Sequence, residues 1–266
     1  MATAAPCCPP ESHGELESSY VPKGSEVNLS ETLKGYVVEP SEPATKALLI
    51  LHDIFGPESG RTKEICDMYA KEGYLVVLPY VFEPASFKEH EDTYILKYFK
   101  IPRMIGWIHS HAWPVVGPKY KEAVQYLKEK NIESCGLVGF CWGAFPMTHL
   151  LATSDYSDLI NGGCCFHPSV QIFKVLFDFN LPKYLSQCHK PLAYLAAKND
   201  GPEVKPGGQV DLAMKSKADY PNCHFEVYEN MQHGWVNRGD ILQDDKIKHD
   251  FLRAFNFSTY FFKEIL

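Results

Sequence analysis

At 266 residues, 45% hydrophobic and 22% charged, the chain is long enough for one large α/β domain or two small ones and has the apolar content for a real core. Its formal net charge of −7 offers no basic face to neutralise phosphates, which excludes a nucleic-acid or anionic-membrane partner. No apolar stretch approaches the roughly 18 residues that would span a bilayer.

Residues 1–6 have neither a basic region nor a long apolar run of the signal-peptide kind, so the expected location is the cytoplasm. The nine cysteines are odd in number and include two adjacent pairs, Cys7–Cys8 and Cys164–Cys165. Reduced thiols fit that pattern better than a disulfide framework. No Cys-x-x-Cys occurs, and His109 and His111 have no partner ligands at the required spacing, so no zinc site or other cofactor is expected.

In chain order, residues 1–30 are rich in Pro, Ser, Gly and Glu and read as an irregular arm. Leu33–Val38 reads as a strand, and the apolar run Ala47–Leu51 as a central parallel strand buried on both faces. Residues 61–72 carry helical spacing and stop at Gly73, and residues 74–79 form a second buried strand. Residues 80–116 mix charge, aromatics and proline, and read as a cap over the strand ends or as a surface excursion. A helix is expected over 119–129, a strand over 135–138 and a helix from Ala144 to Leu151. Strands follow at 162–168 and 191–197, a helix at 211–218, a strand at 224–229, a loop at 231–235 and a terminal helix over 245–266. The aromatic face of that last helix is expected to comprise Phe251, Phe255, Tyr260, Phe261 and Phe262. Alternation of strand and helix implies a mostly parallel sheet covered on both faces, within one domain from residue 31 to 266. Ligands bind such sheets beyond the carboxyl ends of the strands.

One strand-to-helix junction stands out, Gly139-Phe140-Cys141-Trp142-Gly143. Glycines two residues to either side of a central residue permit a sharp turn that leaves the central side chain at the helix start, where a thiolate gains from the helix dipole. Taken alone, the motif leaves two readings open, a nucleophile or one more small buried residue. Asp200 and His233 follow later strand ends, giving the chain order nucleophile, acid, histidine. The thiolate would attack a carbonyl, the imidazole would carry the proton, and the carboxylate would orient the imidazole. A nucleotide-binding oxidoreductase is excluded, because Gly136, Gly139 and Gly143 do not make a G-x-G-x-x-G turn.

With Gly139–Gly143, Asp200, His233-Gly234-Trp235 and the Ile54-Phe55-Gly56 loop, the chain from Leu33 onward resembles the dienelactone hydrolase (carboxymethylenebutenolidase) family of the α/β-hydrolase fold. The resemblance implies a cofactor-free hydrolase of lactones or small esters with Cys141, Asp200 and His233 as catalytic triad. It implies an oxyanion hole from the backbone N–H groups of Trp142 and Ile54, and Asp53 as the partner of the resting thiol. It also implies an anionic substrate held by Arg238, with Trp235 in the binding site. The opening Cys7-Cys8-Pro9-Pro10 resembles the start of eukaryotic members of the family. A second reading from the residues is a non-catalytic protein of the same fold that binds a small ligand or partner.

Overall fold

A computed structural model describes residues 8–9, 11–14, 16, 18–82, 106–107, 109–218 and 222–266. Eight strands form one sheet: β1 (Ser25–Asn28), β2 (Lys34–Val38), β3 (Lys46–Leu51), β4 (Leu75–Pro79), β5 (Ser134–Phe140), β6 (Ile160–Phe166), β7 (Leu192–Ala197) and β8 (His224–Tyr228). Their order is β1-β2-β4-β3-β5-β6-β7-β8. The β1–β2 and β2–β4 pairs are antiparallel, and all pairs from β4 through β8 are parallel. This is the α/β-hydrolase architecture expected of the sequence.

The parallel core follows from composition. Ala47 to Leu51 in β3 have no exposed surface, as a strand covered by helices on both faces requires. Two apolar cores lie on opposite sides: Leu49, Leu51, Leu137 and Phe145 belong to one, and Leu48, Ile50, Val138 and Phe262 to the other. Within each strand neighbouring residues alternate between them, the period-2 consequence of the pleat.

The helices are α1 (Thr62–Lys71), α2 (Trp113–Glu129), α3 (Ala144–Ala152), α4 (Ile172–Val175), α5 (Leu181–Gln187), α6 (Gln209–Lys215), α7 (Trp235–Arg238) and α8 (Asp245–Ile265). Asp244 caps α8 by accepting from the backbone N–H of Lys246 at 2.8 Å and of Ile247 at 3.2 Å. Phe251, Phe255, Phe261 and Phe262 bury along α8, but Tyr260 points to solvent at 63% exposure, so the expected aromatic face is one residue too wide.

Other differences are local. Residues 25–28, read as part of an irregular arm, pair with β2 as β1, because Ser25 to Asn28 meet a strand edge that would otherwise be open. Helix α2 begins at Trp113 instead of residue 119. Pro114 lies in its first turn, where a missing N–H costs nothing, and Pro118 is accommodated inside it. Helices α4, α5 and α7 lie where the sequence reading expected no helix; they are only 4, 7 and 4 residues long, too short to display a helical period. Of the expected cap, residues 83–105 and 108 lie outside the described residues. Among the described residues, no helix is long and apolar enough to cross a membrane.

Candidate active site

The turn after β5 is built by steric necessity. Cys141 has φ 52°, the left-handed region that a side chain with a Cβ rarely enters, at a cost of about 1–3 kcal/mol. Two glycines make it feasible. A Cβ on Gly143 would overlap the carbonyl oxygen of Leu51 at the end of β3, and one on Gly139 would press on Cys165 and Met147. A single 3₁₀ turn, Cys141–Gly143, then leads into α3, and the backbone N–H of Ser169 donates to the Cys141 carbonyl at 3.0 Å. The sharp turn inferred from the sequence is present and Cys141 stands at its apex.

Three elements converge on that sulfur. His233 follows β8, and its Nδ1 lies 2.6 Å from Oδ1 of Asp200, which follows β7. The other Asp200 oxygen accepts from the backbone N–H of Ala197 at 2.7 Å, and Asn199 Oδ1 accepts from the His233 N–H at 2.7 Å. A Lys198 N–H to Met231 carbonyl bond of 2.9 Å ties the two loops together. His233 is fully buried, and its Nε2 has no nitrogen or oxygen partner. A ring nitrogen of His233, the Cys141 Sγ and the Cys8 Sγ all lie within 4.8 Å of one another. The Ser169 hydroxyl is 3.7 Å from the Cys141 sulfur. Burial works against a charged imidazole here, but Cys141 and Asp200 beside it outweigh that effect and hold the His233 pKa well above its usual 6.5. An imidazole so placed faces a sulfur on one side and a carboxylate on the other, both of which favour its charged form.

The model of the dienelactone hydrolase family matches residues 33–266. The chain belongs to the dienelactone hydrolase family. It is accordingly an enzyme, a hydrolase of carboxylic ester or lactone bonds. A carboxymethylenebutenolidase homologue of Xenopus tropicalis is 28% identical over 254 residues, covering 92% of each chain. An AIM2 family protein of Schizosaccharomyces pombe is 29% identical over 271 residues, covering 98% of this chain and all of its own. The crystal structure of a dienelactone hydrolase from Anabaena variabilis superposes with a TM-score of 0.60 at 13% identity, covering 92% of this chain and 98% of the other.

Within this family member, three expected site residues have partners that the resemblance did not imply. Asp53 does not use its carboxylate on the thiol. It forms a buried ion pair with Arg238 and accepts from the Phe55 N–H at 2.9 Å, the Ser59 hydroxyl at 2.9 Å and the Asn237 amide at 2.7 Å. Arg238 is correspondingly 2% exposed, its guanidinium lying 4.5 Å over the Phe55 ring and its Nε donating to the His13 carbonyl at 3.0 Å. One physical cause explains both: two opposite charges this deeply buried are far cheaper together than apart. Trp235 packs at 4.7 Å on Tyr228 in the apolar core on the other side of the sheet from Cys141.

The same network joins the loop after β3 to the loop after β8. Arg61 donates to the carbonyls of Val236 at 3.3 Å and Gly239 at 2.5 Å, and its own N–H reaches the Asn237 carbonyl at 2.8 Å. Ile54 is thereby held in the same assembly that carries His233.

The sequence reading missed four neighbours. His167, after β6, has φ 39°, lies with its ring 4.9 Å from that of His233, and is buried with neither ring nitrogen hydrogen-bonded. Burial, His233 and Arg238 all push its pKa well below 6.5, so it is a neutral wall for the charged imidazole. Ser169 lies next to it in sequence, and only the order Phe166-His167-Pro168 after a strand hinted at either. Cys8 and His13 come from the supposed surface arm, and the His13 N–H donates to the His233 carbonyl at 2.8 Å. On the other side, Phe82 and His111 lie 4.6 and 6.4 Å from the ring of Trp142, so the described ends of the expected cap pack beside the residue after Cys141.

Proposed function

We propose that this enzyme is a cysteine-dependent hydrolase of small lactones or esters working through a thioester acyl-enzyme. The observation that carries the reading is the convergence, in one buried cluster, of a cysteine held at positive φ at a helix start and a histidine whose far nitrogen is 2.6 Å from an aspartate. Cys141 attacks the scissile carbonyl as a thiolate, and backbone N–H groups of Trp142 and Ile54 receive the developing oxyanion. The His233 imidazolium protonates the departing alkoxide. In a lactone that alkoxide stays attached to the acyl chain, so ring opening leaves the whole substrate on sulfur. His233, now neutral, takes a proton from water, which attacks the thioester and restores the thiolate and imidazolium. Asp200 keeps Nδ1 protonated throughout and stabilises the charged ring. The substrate class is a small lactone or ester; Arg238, expected to hold an acidic substrate, has its guanidinium paired with Asp53.

The test is a panel of lactones and aryl esters assayed with the wild type and Cys141→Ala, with intact-mass detection of the acyl-enzyme. The Ala variant should fall by several orders of magnitude and trap no adduct. Turnover within about tenfold of wild type would remove the covalent mechanism.

A further inference from the structure

The mechanism makes no use of Cys8, yet its half-buried sulfur sits 4.0 Å from that of Cys141 across 133 residues of sequence. It is also within 3.9 Å of the Arg238 Nη2, a cation that favours thiolate over thiol. The segment around it is positioned. Ser12 is buried and donates to the Pro9 carbonyl at 2.5 Å, and His13 is bonded both to the His233 backbone and to the Arg238 side chain. Cys141 and His233 are fully covered under this arrangement. A soft divalent ion would also suit two sulfurs and an imidazole, but Arg238 beside Cys8 opposes a cation there.

We propose that Cys8 and Cys141 are a redox pair: a hydroperoxide converts them to a reversible disulfide that removes the nucleophile and pins the N-terminal segment over the site. The inference rests on Cys141 as nucleophile. The Cys8 thiolate, the less covered of the two, attacks one oxygen of the hydroperoxide; a sulfur–oxygen bond forms, the oxygen–oxygen bond breaks, and the alkoxide leaves as alcohol after taking a proton. The Cys141 thiolate then attacks the Cys8 sulfenic sulfur. The sulfur–sulfur bond forms, the sulfur–oxygen bond breaks, and hydroxide leaves as water with a proton from His233. The two sulfurs together lose two electrons and the peroxide gains them. Closing 4.0 Å to a bond of about 2 Å needs only a small shift of the Cys8 segment. A dithiol reductant reverses the change.

The experiment treats the full chain with hydrogen peroxide and follows ester hydrolysis and, in parallel, disulfide-linked peptides by mass spectrometry without reduction. The wild type is expected to lose activity about tenfold or more, to yield a Cys8–Cys141 peptide pair, and to recover with dithiothreitol. Cys8→Ser should match the wild type before oxidation and show no dithiothreitol-recoverable loss after it. A bridge from Cys7 instead, no bridge at all, or recoverable loss in Cys8→Ser overturns the pairing while leaving the hydrolase reading intact. A Cys8–Cys141 bridge with activity unchanged overturns Cys141 as nucleophile, and with it the regulatory effect.

Discussion

At the scale of single residues, the charge state of His233 sets how the enzyme responds to pH. Its imidazole is held charged by Cys141 and Asp200 against the penalty of burial. Because the folded pKa is raised above the unfolded 6.5, the stability this charge contributes is fully present below 6.5 and is lost as pH rises through the raised value. The catalytic sign is the same, since the imidazolium must deliver a proton to the leaving alkoxide. Plots of kcat/KM against pH should therefore fall on the alkaline side at the pKa of His233. Asp200→Asn removes one of the two groups that raise it and leaves Ala197 N–H and Nδ1 with a neutral partner. In that variant the alkaline limb should move to lower pH and kcat should drop by roughly 10²–10⁴. An alkaline limb that stays where it is in the variant would assign it to another group.

At the scale of elements, the loop after β3 and the loop after β8 are joined by the Asp53–Arg238 pair, Asn237 and Arg61, and this join is what presents His233. Removing one side of a buried pair leaves an uncompensated charge, typically at 3–5 kcal/mol. Arg238→Ala should thus lower the melting temperature strongly and depress turnover on charged and neutral esters alike. The double change Asp53→Asn with Arg238→Met removes both charges and should restore much of the stability. A stable Arg238→Ala whose loss is confined to acidic substrates would instead return Arg238 to the role of substrate anchor. The sequence placed Asp53 and Arg238 near the site only through the family resemblance, Asp53 just before Ile54-Phe55-Gly56 and Arg238 five residues after His233. It could not say that they pair, because 185 residues separate them and nothing local records the contact. Cys141 was legible for the opposite reason, since it directly follows a buried apolar strand; Asp200 and His233, three and five residues past the ends of β7 and β8, were read from their chain order and the family motif, and parallel strands bring such ends together whatever lies between. Short helices such as α7, and the strand β1 at the sheet edge, have too few residues for any period to appear, and their existence depends on partners.

At the scale of the whole molecule, the sheet supplies a rigid edge at the carboxyl ends of β5, β7 and β8, and the N-terminal segment is laid across it. Polar, proline-rich composition read as a surface arm, since a stretch without apolar period gives no sign of what it covers. Its hold on the site is modest in energy. The His13 N–H to His233 carbonyl bond contributes about 1 kcal/mol net and the charged Arg238 to His13 carbonyl bond about 1.5–3 kcal/mol, against the entropy of ordering the segment. A net closing free energy near 1.4 kcal/mol would leave the site open about a tenth of the time, enough for substrate to enter but a measurable tax on reactivity. Further along, Asp67 accepts from the Tyr20 hydroxyl, the Lys23 N–H and the Tyr36 hydroxyl at 2.6–2.8 Å, so the chain is independently anchored from Tyr20 onward. Removing residues 1–14 should therefore spare the sheet while uncovering Cys141. Alkylation of Cys141 by iodoacetamide, followed by peptide mass spectrometry, should accelerate by about tenfold or more in the truncated protein, with circular dichroism unchanged. If the rate is the same in both proteins, the segment does not guard the nucleophile, and the covered state of Cys141 must come from the loops of the sheet itself.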